Sequence, residues 1–94
     1  SQVAPALLSD GEGGGDPCYV MEEHGNGLTT VLLPWSPASF AGSIKVVPTS
    51  KLRYLDCTVD EYSRSVSLMG VGIADCLSKS AAGDGTAKPV RMGE

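Results

Sequence analysis

The sequence predicts a small α+β domain: an antiparallel sheet of three or four short strands, one main capped helix over residues 58–69, and a short C-terminal helix. Three observations carry that expectation. Two strand-like runs, CYVME and LTTVLL, flank His24-Gly25-Asn26-Gly27, and Asn-Gly supplies the positive φ angles of a tight hairpin turn. The stretch from Val31 to Glu61 then alternates apolar runs with punctuation at Pro34, Pro37, Gly42 and Pro48, which divides it into strands and turns. Thr58-Val59-Asp60-Glu61 is a capping box, in which the Thr hydroxyl and the Glu carboxylate each take an unpaired amide of the first helical turn.

The elements follow in chain order. Residues 3–8, VAPALL, are apolar but short and broken by Pro5; they suit the end of an upstream element or the first turn of a helix. Residues 9–16, SDGEGGGD, are polar and glycine-rich, so 1–16 is expected to be a flexible leader. The domain is expected over 17–78, its first hairpin pairing about 17–23 with 28–33. The connection 34–42 holds the chain's one Trp and one Phe, Trp35 and Phe40. Its two prolines cannot donate ladder hydrogen bonds. The two rings either fold back as a lid on the small core or form an exposed contact surface, since aromatics are favoured interface anchors.

Ser43 to Val47, SIKVV, alternates as a strand with Ile44 and Val46 on one face, and Pro48 ends it. Lys51 to Leu55 is a short strand or an extended approach to the helix. Past the capping box, Val59, Tyr62, Val66 and Met69 recur at spacings of three, four and three, one helical stripe. Cys57 and Tyr62 hold the hydrophobic-staple positions, and Gly70 is the expected C-cap. Val71 to Leu77 suits a short second helix. Residues 79–94 show no hydrophobic period and read as a disordered tail.

Composition narrows the function. The net charge is −4 and the seven basic residues are scattered, whereas a nucleic-acid footprint clusters them; no nucleic-acid partner is expected. The three cysteines, Cys18, Cys57 and Cys76, are an odd count without a CxxC. They read as small apolar residues in a reducing compartment rather than a disulfide frame. With one histidine the chain offers a poor zinc ligand set, and no metal or cofactor is expected. The chain opens on Ser1 without Met, which suits a processed chain or a piece of a longer one.

No catalytic constellation emerges. His24 beside Glu22 and Glu23 falls at a hairpin tip, where it is expected to be solvated. Asp56 beside Cys57 lacks a second histidine to activate the thiol. Gly11 to Gly15 lacks the GK[ST] ending of a phosphate loop. Ser36 and Ser39 lack a nucleophile-elbow context.

The segment Leu33 to Glu61 resembles the soluble domain of the LIKE-COV (continuous vascular ring) membrane proteins of plants and their bacterial relatives, a domain of unknown function. The residues that carry the resemblance are Leu33-Pro34-Trp35-Ser36-Pro37, then Gly42-Ser43-Ile44-Lys45-Val46-Val47-Pro48, then Leu52-Arg53-Tyr54-Leu55-Asp56-Cys57-Thr58-Val59-Asp60-Glu61. They follow one another without a gap, and the likeness continues loosely through Arg64, Val66 and Gly70. It implies a module tethered to a membrane by helices that precede Ser1 and facing the cytoplasm. No catalytic residue carries over. The implied structural roles are loop shaping by Pro34, Pro37 and Gly42, and the helix start by Asp56, Thr58 and Glu61.

Two functions are therefore expected to compete. One is a non-enzymatic interaction or scaffold module, with Trp35 and Phe40 as its contact surface for a protein partner or for self-association. The alternative is a small-ligand-binding or enzymatic domain with a pocket under the 34–42 loop.

Overall fold

The computed structural model describes residues 3–79. It is an α+β fold: β1 (Ala4–Ser9), β2 (Gly15–Glu23), β3 (Leu28–Pro34), β4 (Gly42–Pro48), a 3₁₀ turn (Thr49–Lys51), β5 (Leu52–Tyr54), α1 (Val59–Ser67) and α2 (Ile73–Lys79). The five strands form one antiparallel sheet in the order β4-β3-β2-β1-β5. The expectation for the tail falls, from residue 80 on, outside the described residues.

The largest departure from the sequence expectation is β1. Residues 4–9 are neither a helical turn nor part of a flexible leader; they form a strand between β2 and β5. Ala4, Pro5, Ala6, Leu7 and Leu8 are all buried. A strand buried on both faces shows no polar alternation, so its sequence reads only as a short apolar run. Pro5 fits because its carbonyl accepts from Leu55 N–H at 3.1 Å, one residue past the end of β5. The missing proline amide thus falls at the end of the β1–β5 ladder.

The sheet cannot be flat. In a flat sheet, β4 and β5 stand four strand spacings apart, about 19 Å. Yet Pro48 ends β4 and Leu52 begins β5, a reach of at most about 14 Å for a fully extended chain and about 8 Å along a 3₁₀ turn. The sheet therefore curls, and its inner face is buried with no helix among the described residues against it. That face holds Ala4, Ala6, Leu8, Cys18, Val20, Val31, Val47, Leu52 and Tyr54. Its middle strands contribute small side chains, as the concave side of a curled sheet requires. A bulge at Met21, where the β2–β3 register shifts between Val20 and Glu22, adds bend at the place it is needed. The Tyr54 hydroxyl donates to the Glu23 carboxylate and links β5 to the end of β2.

The outer face carries larger groups. Tyr19 and Leu32 pack against Leu55, Tyr62 and Cys76, with Cys57, Val59, Ile73 and Leu77 around them. Tyr62 meets Tyr19 edge to face at 5.3 Å, and its hydroxyl donates to the Ala6 carbonyl at 2.7 Å. The staple pair Cys57 and Tyr62 both join this cluster.

The hairpin forms over β2 and β3 as expected, with one difference in its turn. Gly27 alone adopts positive φ, at 85°. Asn26 instead accepts Leu28 N–H on its side-chain oxygen at 3.2 Å. His24 is half-buried rather than loose at the tip, its Nε2 2.8 Å from Thr30 Oγ1.

The capping box is present: Glu61 N–H donates to Thr58 Oγ1 and Thr58 N–H to Glu61 Oε1, each at 3.0 Å. Helix α1 ends at Ser67 with Leu68 as its C-cap, earlier than the expected residue 69. Gly70 is not the cap itself. Met69 takes the left-handed position just past the cap, at φ 61°. Met69 N–H then donates to the Val66 carbonyl and Gly70 N–H to that of Ser65, the two bonds of a Schellman ending. Met69 consequently drops out of the buried stripe and is exposed. Ile44 and Val46 do share a face, but at the sheet's edge the helices do not cover it, and both are exposed; Val47, on the opposite face, is the buried residue of β4.

Candidate functional site

The loop after β3 is clamped to both layers of the fold. Trp35 N–H donates to the Ala41 carbonyl and Ala38 N–H to that of Trp35, each at 2.8 Å, which closes the loop at its base. The Ser36–Pro37 peptide is cis. Ser36 Oγ donates to the Val66 carbonyl at 2.5 Å and lies 3.2 Å from Met69 Sδ. Ser39 Oγ donates to the Ser63 carbonyl at 3.1 Å. Both serines thus take carbonyls of α1, roles the sequence did not suggest because their partners are 30 and 24 residues away. At the loop's exit, a side chain on Gly42 would overlap the Leu33 carbonyl. Glycine is needed there for close approach to β3.

The two aromatic residues of this loop stand in different settings. Trp35 is 65 % exposed and Phe40 57 %. Phe40 stacks on Tyr19, ring centroids 4.6 Å apart and planes 29° apart. The Tyr19 hydroxyl in turn lies 2.9 Å from Ser63 Oγ. Phe40 therefore has one face toward the outer core and leaves much of the ring in solvent. Beneath the loop is an apolar hollow of about 180 Å³ lined by Pro17, Pro34, Ser36, Val66, Met69 and Ile73. Ser36 is its polar side chain, and it already bonds to α1.

The remaining candidates are dispersed. Asp56 is exposed in the turn before Thr58. No disulfide joins the three cysteines. Cys18 lies on the inner face, and burial, reinforced by the Asp16 carboxylate, pushes its thiol up to about 12. Such a group stays a thiol and is a poor nucleophile. Burial likewise raises the Tyr62 phenol, with the Cys18 side chain adding to the shift. Arg53 donates from Nη2 to the Leu77 carbonyl at 3.3 Å, near the end of α2. Among the described residues no group of three His, Cys, Asp or Glu side chains is placed to hold a metal ion. Among them, too, no helix is long and apolar enough to cross a membrane.

No family model, no curated protein and no solved structure matches this chain.

Proposed function

We propose that this chain is a non-enzymatic interaction module that docks a protein partner through Trp35 and Phe40. The observation that carries the reading is a pair of solvent-exposed rings on a loop clamped to α1 by Ser36 and Ser39. Aromatic side chains dominate the energetics of protein interfaces. A loop held in place beforehand loses little backbone freedom on binding, and the Phe40 ring is further set by its stack on Tyr19. The small-ligand alternative has less support. The hollow under the loop is smaller than the roughly 300 Å³ at which small-molecule sites begin, and it lacks convergent polar groups. The resemblance to the LIKE-COV domain supplies the proposed setting: a module carried beside a membrane by helices preceding Ser1 and facing the cytoplasm.

The test compares partner capture by the native chain, Trp35→Ala and the double variant with Phe40→Ala. Trp35→Ala is expected to keep the melting temperature and lose partners. The double variant also gives up the Tyr19 stack, at a cost of about 1 kcal/mol. Unchanged capture by both variants would refute the reading, as would a collapse of stability in Trp35→Ala. A melting-temperature shift with a metabolite panel would favour the ligand alternative. The membrane setting is checked separately by sequencing the transcript upstream of Ser1. Two apolar stretches of about 20 residues are expected, and a start codon beside Ser1 would remove the tether.

A further inference from the structure

Among the described residues the sheet ends at β4, and the geometry of the β3–β4 ladder tells which backbone groups point away from β3. Trp35 N–H donates to the Ala41 carbonyl and Thr49 N–H to the Gly27 carbonyl. Both bonds continue the register of the β3–β4 ladder. Bonded and non-bonded pairs alternate along an antiparallel ladder. Stepping by twos between those two bonds makes Leu33–Ser43, Val31–Lys45 and Thr29–Val47 the bonded pairs. The N–H and C=O groups of Gly42, Ile44 and Val46 therefore face outward. Pro48, with no N–H, ends the row. The side chains of Ile44 and Val46 are 63 % and 58 % exposed along the same edge. Exposed edges with apolar side chains are templates for pairing with another strand.

We propose that a second copy of this chain pairs here, β4 against β4 in antiparallel fashion, with Ile44 opposite the partner's Ile44. The strand's own sequence selects this occupant and this register. Centred on Ile44, Val46 lies opposite the partner's Gly42, whose missing side chain leaves room, and Lys45 lies opposite the partner's Ser43. The outward groups of 42, 44 and 46 then all find mates. Centring on Lys45 would set two ammonium groups opposite one another, a destabilising pair. Centring on Val46 would set Pro48 opposite Ile44 and lose a donor. The net charge of −4 on each copy opposes association, but Gly42–Pro48 holds Lys45 and no acidic residue, so that repulsion is not concentrated at this edge. Two copies thus meet along a strand free of acidic groups. Twofold pairing is also self-complementary, so it stops at a dimer as far as this edge is concerned.

The test is sedimentation equilibrium of the full 94-residue chain from low micromolar to near-millimolar concentration. A reversible monomer–dimer equilibrium is expected. Val46→Pro removes an outward donor without touching the β3–β4 ladder and is expected to weaken the dimer about tenfold or more. Ile44→Lys, which keeps every backbone group, is expected to weaken it as well, with circular dichroism checking that both variants fold. Trp35→Ala with Phe40→Ala is expected to leave the dimer intact, which separates this edge from the aromatic surface. Under oxidation Ile44→Cys is expected to cross-link two copies above the wild-type background, because bonded pairs hold Cα atoms about 5.5 Å apart. A monomer at every concentration would overturn the proposal. So would a dimer indifferent to both edge variants, or one that cross-links through Lys45→Cys and not through Ile44→Cys.

Discussion

Met69 shows how much a single backbone conformation decides. It holds the left-handed position after α1, at φ 61°, where an L side chain crowds its own carbonyl at a cost of about 1–2 kcal/mol. Glycine removes that cost. Met69→Gly is therefore expected to stabilise the domain by about 1 kcal/mol, net of glycine's greater freedom when unfolded. In a thermal melt this reads as a rise of roughly 4–8 °C for a domain of this size. The buried acids supply a second expectation. Cys18 and Tyr62 both have folded-state pKa values raised above their ordinary ones, and the Cys18 thiol reaches about 12. A raised acid favours the fold while both states keep the proton. For Cys18 that contribution is whole below pH about 9 and is lost as pH climbs toward 12, because the unfolded chain releases its proton first; for Tyr62 the loss begins only above pH about 10. Urea titrations are expected to show stability falling above pH 9, by up to about 1.4 kcal/mol per pH unit for each such group. Cys18→Ala should flatten that slope; an unchanged slope would mean that Cys18 does not contribute to it.

At the level of elements, α1 is held by local signals at its start and by distant ones along its side. The capping box is local, and Thr58→Ala is expected to cost about 1 kcal/mol in denaturant titrations. The loop clamp is distant. Ser36→Ala with Ser39→Ala removes two hydroxyl donors to α1 carbonyls, at about 1 kcal/mol each. If the aromatic surface works by presetting its rings, the double variant should also weaken partner capture while Trp35 and Phe40 remain. Legibility in the sequence follows the same division. Thr58, Glu61 and the hairpin around Gly27 were readable because each satisfies its partners within a few residues. The serine clamp, the Phe40–Tyr19 stack and the β1–β5 pairing were not, because their partners lie far along the chain; β1 also pairs with its neighbour β2 across residues 10–14, but burial on both faces hid the alternation that marks a strand.

On the scale of the molecule, β1 joins the two halves of the sheet, pairing with β2 on one side and β5 on the other. Its buried residues complete the inner core. A fragment of residues 17–78, the span the sequence suggested as the domain, is thus expected to be unfolded by far-ultraviolet circular dichroism, whereas 1–79 folds. A cooperative melt from the shorter fragment would show that β5 can close on β2 without β1. The curl of the sheet is a property of the same scale. It arises because a short 3₁₀ turn ties the two edge strands together, and it explains how a sheet with helices on one side has two buried faces.

Local signals in the chain were enough for the α+β class, the β2–β3 hairpin, the strand status of Gly42–Pro48, the capped start of α1 and the presence of a short second helix. Each rests on periodicity, turn chemistry or capping, which act over one or two turns of chain. Tertiary structure alone decided that residues 4–9 belong inside the sheet, that the left-handed turn after α1 begins at Met69, one residue before Gly70, and that Trp35 and Phe40 remain exposed. It also decided that Ile44 and Val46 line an open edge. These depend on which surfaces the curled sheet and the two helices happen to cover, and coverage is a property of the packed whole that no local pattern encodes.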